Sequence, residues 1–360
     1  MNLEKMLAYI GSCKKSLKIM EVCGTHTSAI VKNGIQGLLP PGIRLVSGPG
    51  CPVCVTTGEY IDVLLEFAGS ENCCVLSFGD LFKVRGSRQS MIEGKAGGAS
   101  FQVIYSPFEA VALAKANRNI NYVVAAIGFE TTIPVYALLM DKVMEENIRN
   151  IKLALSLKAT IPALSYICCK EEIDGFICPG HVSVITGSRV YEEICRVYQK
   201  PFVIAGFEPE HILGAICRIV YQTETGHFHV ENLYKSVVSE EGNTDAVKLI
   251  NRYFIPADGI WRGIGEIKSS AFVFREEYAR YALAMKSCDE DDEGAESVEN
   301  HIPSECRCGD VMLGRITPDE CGLFGGVCRP DNPEGPCMVS SEGACGIWYA
   351  NKPNLTGSIK

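Results

Sequence analysis

The stretch "GPGCPVC", residues 48–54, puts two thiols two residues apart directly after an apolar run that reads as a strand. Cys51 and Cys54 can hold a metal, exchange a disulfide, or pack as small hydrophobes. Pro52 suits a first helical turn and "VTTGEYIDVLLEFA" continues amphipathically, so the pair has the strand-then-helix setting of low-pKa, exchange-competent thiols. Structural zinc would need a second pair at matching spacing, and none follows nearby. Redox or shared metal chemistry is the expectation, with a purely structural pair as the alternative.

A second thiol sits in "EVCGTHTSAI", residues 21–30. The strand "LKIMEV" leads into Cys23, Gly24 allows a tight turn, and Thr25 or Thr27 can cap the helix that follows. A helix N-terminus favours thiolate, and His26 is three residues on. Together they make a metal half-site or a nucleophile and its base, against the plainer alternative of a buried thiol beside a capping histidine. Three further segments put polar groups at predicted strand ends: "GFETTIP" (128–134), "PGHVSVITG" (179–187) and "AGFEPEHI" (205–212). Ligand sites of open parallel sheets lie outside the carboxyl ends of the strands. Cys23, His26, Cys51, Cys54, Glu130, Thr131, His181 and Glu208 are therefore expected to converge on one cleft.

The third constellation is C-terminal. Cys306, Cys321, Cys328 and Cys345 are separated by 14, 6 and 16 residues, with Cys308 and Cys337 as extra candidates. Four thiolates suit an iron–sulfur cluster, which could replace a missing apolar core; zinc also accepts four, but its usual close-spaced knuckles are absent. Phosphate-loop, GxGxxG, HExxH and GxSxG motifs are missing as well.

The elements that must position these groups follow from patterning. Seven apolar runs read as strands: 17–22, 43–48, 73–79, 101–105, 122–129, 175–180 and 202–207. Helical signals lie between them, such as 106–117 with Ser106 as N-cap and Pro107 at the first helical position. The alternation argues for βαβ units and parallel sheets. Past residue 210 the pattern turns more helical, the run 289–300 is acidic and reads as a solvated linker, and 301–360 is rich in Cys, Gly and Pro. The 360 residues exceed one core's usual reach, and boundaries are expected at 1–118, 119–288 and 289–360. Net charge is −9 without a basic block, which argues against nucleic acid. No apolar stretch reaches the roughly 18 residues that span a bilayer, and no signal peptide is evident, so a soluble cytoplasmic protein is expected. With 18 cysteines, metal or thiol chemistry is a better reading than a disulfide framework. Cys13, Cys73, Cys74, Cys168, Cys169, Cys195 and Cys217 lie in apolar runs and read as buried hydrophobes.

"CGTHT", "GPGCPVC", "GFETT", "PGHVS", "GFEP", "CGLFGGVC" and "GPCMVSSEGAC", in this order and with the four-cysteine spacing, resemble the HypD family of [NiFe]-hydrogenase maturation factors over nearly the whole chain. That resemblance implies two Rossmann-like α/β domains flanking a cleft and a small domain carrying a [4Fe-4S] cluster. It implies a scaffold on which iron receives cyanide and carbonyl ligands, with a small HypC-type chaperone and a HypE-type cyanide donor, before transfer to the hydrogenase large subunit. Cys23 would then hold the iron with His26 nearby, and Cys51 and Cys54 would relay electrons. Cys306, Cys321, Cys328 and Cys345 would hold the cluster, Cys308 competing with Cys306 for the first position. Rival readings are a stand-alone cluster-dependent thiol/disulfide oxidoreductase, a cysteine transferase using Cys23 and His26, and a zinc-stabilised interaction protein.

Overall fold

Each of the seven expected strands forms. They appear in the computed structural model, which describes residues 2–285 and 305–351, as β1 (Leu17–Glu21), β2 (Ile43–Ser47), β3 (Cys73–Ser77), β4 (Phe101–Val103), β5 (Asn121–Gly128), β7 (Gly175–Cys178) and β8 (Phe202–Ile204). Four more were not anticipated: β6 (Ile151–Lys158), β9 (Val230–Asn232), β10 (Phe254–Trp261) and β11 (Gly265–Phe274). The acidic run read as a linker, 289–300, lies outside the described residues.

The chain divides into two compact units, each drawn from separated stretches. The first comprises Met1–Cys51, Thr160–Thr244 and Cys306–Lys360; the second comprises Pro52–Ala159 and Asp245–Glu305. Hydrogen bonding, not chain order, decides this. A boundary at 118 would part β3 from its parallel neighbour β5, while β1 pairs with β7 some 150 residues away in register Ile19↔Gly175. The Cys-rich segment belongs to the first unit rather than standing alone. Gly314 (φ +67°) lies against Met20 and Val46, Arg315 pairs with Glu171 at 2.7 Å, and Arg44 pairs with Glu320.

The first unit holds an all-parallel sheet in the order β2-β1-β7-β8-β9. Counted within the unit this is 2-1-3-4-5, a common doubly wound order whose direction reverses beside β1. The core joins Ile19, Ile177 and Val203 of the strands to Ile10, Ile212 and Ile216 of the helices Leu3–Ser12 and Pro209–Thr225. Cys13, Cys74, Cys168, Cys195 and Cys217 are buried as expected, whereas Cys73 is half-buried and Cys169 exposed; Cys178 on β7, not among those expected, is buried too.

The second unit corrects the expectation of purely parallel sheets. Its order is β10-β11-β6-β5-β3-β4, with β3 to β6 parallel and the β10–β11 hairpin antiparallel at the β6 edge. "GIWRGIGEIKSSAFVF" lies in the region read as helical, yet Gly263 and Gly265 (φ +74° and +105°) turn the chain between strands with one exposed face. Ser106 is not the cap of the next helix, which runs Glu109–Ala116 with Phe108 before it; the Ser106 hydroxyl instead accepts from Phe108 N in the preceding turn.

Lys158, at the end of β6, is 6 % exposed, donates to Ile260 O at 2.8 Å, and is pushed by burial down to about 8. Its folded pKa lies below the ordinary 10.5, so the unfolded chain binds more protons between these values, and stability rises with pH through that window. Below pH 8 the charged side chain costs on the order of 3 kcal/mol. Lys158→Met should therefore raise the urea midpoint at pH 7, and the gain should shrink at pH 10. An unchanged or lowered midpoint at both pH values would show that the contact with Ile260 outweighs the burial cost.

Candidate functional site

Cys23 follows β1 and is itself the N-cap of the helix Gly24–Lys32, in extended conformation; neither Thr25 nor Thr27 takes that position. The N–H groups of Thr25 and His26 and the Thr25 hydroxyl, in the first turn of that helix, favour thiolate, but burial dominates and holds the thiol at about 11. Its own N–H donates to Glu21 Oε2 at 3.0 Å, and the Thr27 hydroxyl donates to Glu21 Oε1 at 2.5 Å. Desolvation raises that carboxyl to about 7 despite these donors. Neighbouring backbone approaches so closely that two motif glycines are obligatory. A Cβ at Gly50 would lie 2.7 Å from Cys23 N, and one at Gly24 would lie 2.5 Å from Glu342 O. The second contact sets the C-terminal segment directly against the Cys23 loop.

His26 is fully buried. Its Nε2 lies 3.1 Å from Gly206 O, so Nε2 carries the proton, and Nδ1 is left with no hydrogen-bond partner. Desolvation lowers the imidazole to about 4, so it is neutral. The Phe207 ring is sandwiched between His26 (4.8 Å) and the exposed His181 (4.3 Å). Glu208 is the exposed N-cap of the helix Pro209–Thr225. Cys23, Cys51, His181 and Glu208 thus follow β1, β2, β7 and β8, four adjacent strands whose carboxyl ends line up.

The remaining expected residues belong to the second unit. Glu130 is buried after β5, with Thr131 exposed beside it. Cys54 is buried in a turn; the next helix begins only at Gly58, capped by Thr57, so Pro52 is not in its first turn. The division of the chain at Cys51/Pro52 assigns the two thiols of the pair to different units. Two residues that sequence reasoning missed bear on these loops. Glu21 anchors the Cys23 loop, and the buried Arg262 donates from its backbone to Val55 O and from its guanidinium to Arg85 O, both at 3.0 Å. An acid at the end of an apolar strand and an arginine inside "GIWRGIG" were the available signals.

In the C-terminal segment Cys306 and Cys308 sulfurs are 3.3 Å apart, and a Cβ at Gly335 would come within 2.5 Å of both. Cys328 accepts from the N–H groups of Gly335 and Glu334, although burial still raises its thiol. The Cys345 thiol hydrogen-bonds Cys308, which favours its thiolate, but contact with Cys337 and burial hold it well above the ordinary range. Cys321 is buried at the end of the turn Pro318–Glu320. Among the described residues no three His, Cys, Asp or Glu side chains form the ligand group of a single metal ion.

The family model for HypD, described as a hydrogenase formation family, matches residues 2–352. The chain belongs to the HypD family. Curated HypD-family relatives agree. A putative hydrogenase expression/formation protein of Methanocaldococcus jannaschii is 40 % identical over 92 % of this chain and 91 % of its own length. The hydrogenase maturation factors HypD of Azotobacter vinelandii and Escherichia coli are 39 % and 36 % identical, each match covering 94 % of this chain and 90 % of the relative. Among the described residues of this HypD-family chain, no helix is long and apolar enough to cross a membrane.

Proposed function

We propose that this HypD-family chain is a cytoplasmic, redox-active scaffold for assembling the Fe(CN)2CO unit of [NiFe]-hydrogenase. Its partners in that reading are a HypC-type chaperone and a HypE-type cyanide donor, and the finished iron unit passes to the hydrogenase large subunit. The supporting observation is the Cys23 loop: one thiol at the N-cap of a helix whose first-turn donors favour thiolate and which carries a neutral histidine with a free Nδ1 lone pair.

The chemistry required of these residues is modest. Iron is the cargo, and Cys23 binds it as thiolate, so the proton held at about 11 must leave as the metal arrives. The Thr25 and His26 N–H groups then stabilise the sulfur's charge, and His26 Nδ1 offers a lone pair to the iron or to a group bound on it. Both α/β units are Rossmann-like in this reading. Cys306, Cys321, Cys328 and Cys345 would hold a resident [4Fe-4S] cluster, which supplies electrons one at a time when bound. The fit rests on Cys306 and Cys308 flanking a side-chain-free Gly335, on N–H donors to Cys328, and on the contacts of Cys345 with Cys308 and Cys337. Cys51 and Cys54 would exchange between dithiol and disulfide to pass the electrons on.

Infrared spectra of the chain purified anaerobically with its small chaperone test the proposal, because metal-bound cyanide and carbonyl absorb where protein does not. Bands from both ligands are expected in the wild type under hydrogenase-producing conditions. Their absence there, with the cluster present, would favour a stand-alone thiol/disulfide oxidoreductase. A colourless, zinc-loaded protein would favour an interaction module.

A further inference from the structure

Just past β8 in the first unit, the dipeptide Gly206–Phe207 holds His26 in two ways. The Gly206 carbonyl accepts the Nε2 proton at 3.1 Å, and the Phe207 ring lies against the imidazole at 4.8 Å, tilted by 39°. The Phe207 ring is itself fixed by further neighbours. His181 stacks on it at 4.3 Å, and Tyr234 meets it nearly edge-on at 6.3 Å, with an interplanar angle of 81°. Gly180 leaves the room this needs: a Cβ there would lie 3.0 Å from Phe207 Cζ and 2.9 Å from Ala205 O. Phe207 is only half-buried and His181 is exposed, so the ring gains less from leaving water than a core phenylalanine does.

We propose that Phe207 is a positioning residue for His26, holding the imidazole in the orientation that gives its proton to Gly206 O and leaves Nδ1 as a free acceptor. Nδ1 is buried without a hydrogen-bond partner. Such an acceptor is unfavourable, and the ring would relieve it by turning about its Cβ–Cγ bond or by moving its proton to Nδ1. The Gly206 bond opposes both changes, but one neutral hydrogen bond is a weak hold. Tilted aromatic contact adds a comparable one and blocks the swing of the imidazole on the Phe207 side. Leucine fills a similar volume but has no flat face to set against the ring. The use of a free Nδ1 rests on the assembly reading above; the hold itself is a property of the chain without cargo. It also gives the PGHVS and GFEP segments one shared task, since Gly180 and His181 of the first enclose Phe207 of the second.

Two readouts test it. The first is NMR of isotopically labelled histidine rings in the full chain, expressed without its maturation partners so that Cys23 carries no cargo. The His26 signals, assigned by their loss in His26→Gln, should report a single tautomer with the proton on Nε2. Phe207→Leu should raise the minor tautomer roughly fivefold with little change in thermal midpoint, and Phe207→Tyr should match the wild type. The second readout is the infrared spectrum of the iron-loaded complex. Phe207→Leu should broaden and shift the cyanide and carbonyl bands in the direction of His26→Gln while iron is retained, and should add nothing further in the His26→Gln background. If Phe207→Leu fails to fold, Phe207→Met, unbranched and accommodating, carries the same comparison. An unchanged tautomer in the Leu or Met variant, or an additive band shift in the double variant, would overturn the proposal. Absence of the bands in the wild type would count against the assembly reading alone, because the tautomer is read on the cargo-free chain.

Discussion

On the proposed function, Cys23→Ala is expected to abolish the cyanide and carbonyl infrared bands of the anaerobically purified complex while leaving the visible absorption of the proposed C-terminal cluster unchanged. The hydrogenase matured in such cells should lose activity by at least a hundredfold. The expectation is this severe because the substitution removes the one thiol in the loop and little else. The Glu21 contact is made by the Cys23 backbone N–H, and Gly50 and Gly24 pack on neighbouring main chain, so the loop keeps its supports. Losing one small buried side-chain atom costs about 1 kcal/mol, too little to unfold the unit. His26 does not offer a substitute, since a single neutral imidazole lacks the charge that a thiolate brings to iron. His26→Gln, which keeps a donor for Gly206 O but loses the Nδ1 lone pair, should retain partial iron and shift the bands. Bands that persist in Cys23→Ala would place the iron elsewhere in the complex and end the proposed role of this residue.

How much of this was legible beforehand depends on how local the determining contact is. Strands such as "YVVAAIGF" announced themselves because burial on both faces selects a continuous apolar run, and the residues just past them could be placed at strand ends with no tertiary knowledge. That logic located Cys23, Cys51, His181 and Glu208. It failed for β6, whose "IKLALSLK" carries lysines at 152 and 158, and for the β10–β11 hairpin, whose exposed face is polar. It also failed for the assembly of the units, because β1 chooses β7 over 150 residues of intervening chain and nothing in either run encodes that choice. The same distance hid Gly206. Its carbonyl fixes the His26 tautomer across 180 residues, and a Cβ there would lie 2.5 Å from His211 Nδ1. Caps were misjudged for a different reason: Thr27 is a good capping residue, but a buried carboxyl two residues before Cys23 competes for its hydroxyl.

If the C-terminal thiols hold the proposed cluster, the segment should depend on it for structure as well as for electrons. Cys345→Ala is expected to lower bound iron from about four atoms per chain to below one, and to make residues 306–351 susceptible to protease while the rest of the first unit resists. The segment contributes short helices, Cys308–Met312, Pro336–Val339 and Ala344–Ala350, none long enough to stand alone. Metal ligation in such a segment is folding free energy, on the order of 10 kcal/mol for structural sites in small domains. Cys345 is the informative position because its thiol touches both Cys308 and Cys337 and it lies in the first turn of the last helix. Loss should also reach the Cys23 loop proposed for assembly, since Glu342 is the residue against which Gly24 packs. Slower acquisition of the infrared bands should therefore accompany the loss of cluster iron even though Cys23 is intact. Cys308→Ala and Cys337→Ala provide the contrast: four ligands suffice for the cluster, so each should retain most of its iron. If Cys345→Ala keeps its iron while Cys308→Ala or Cys337→Ala loses it, the ligand set must be redrawn around those two thiols.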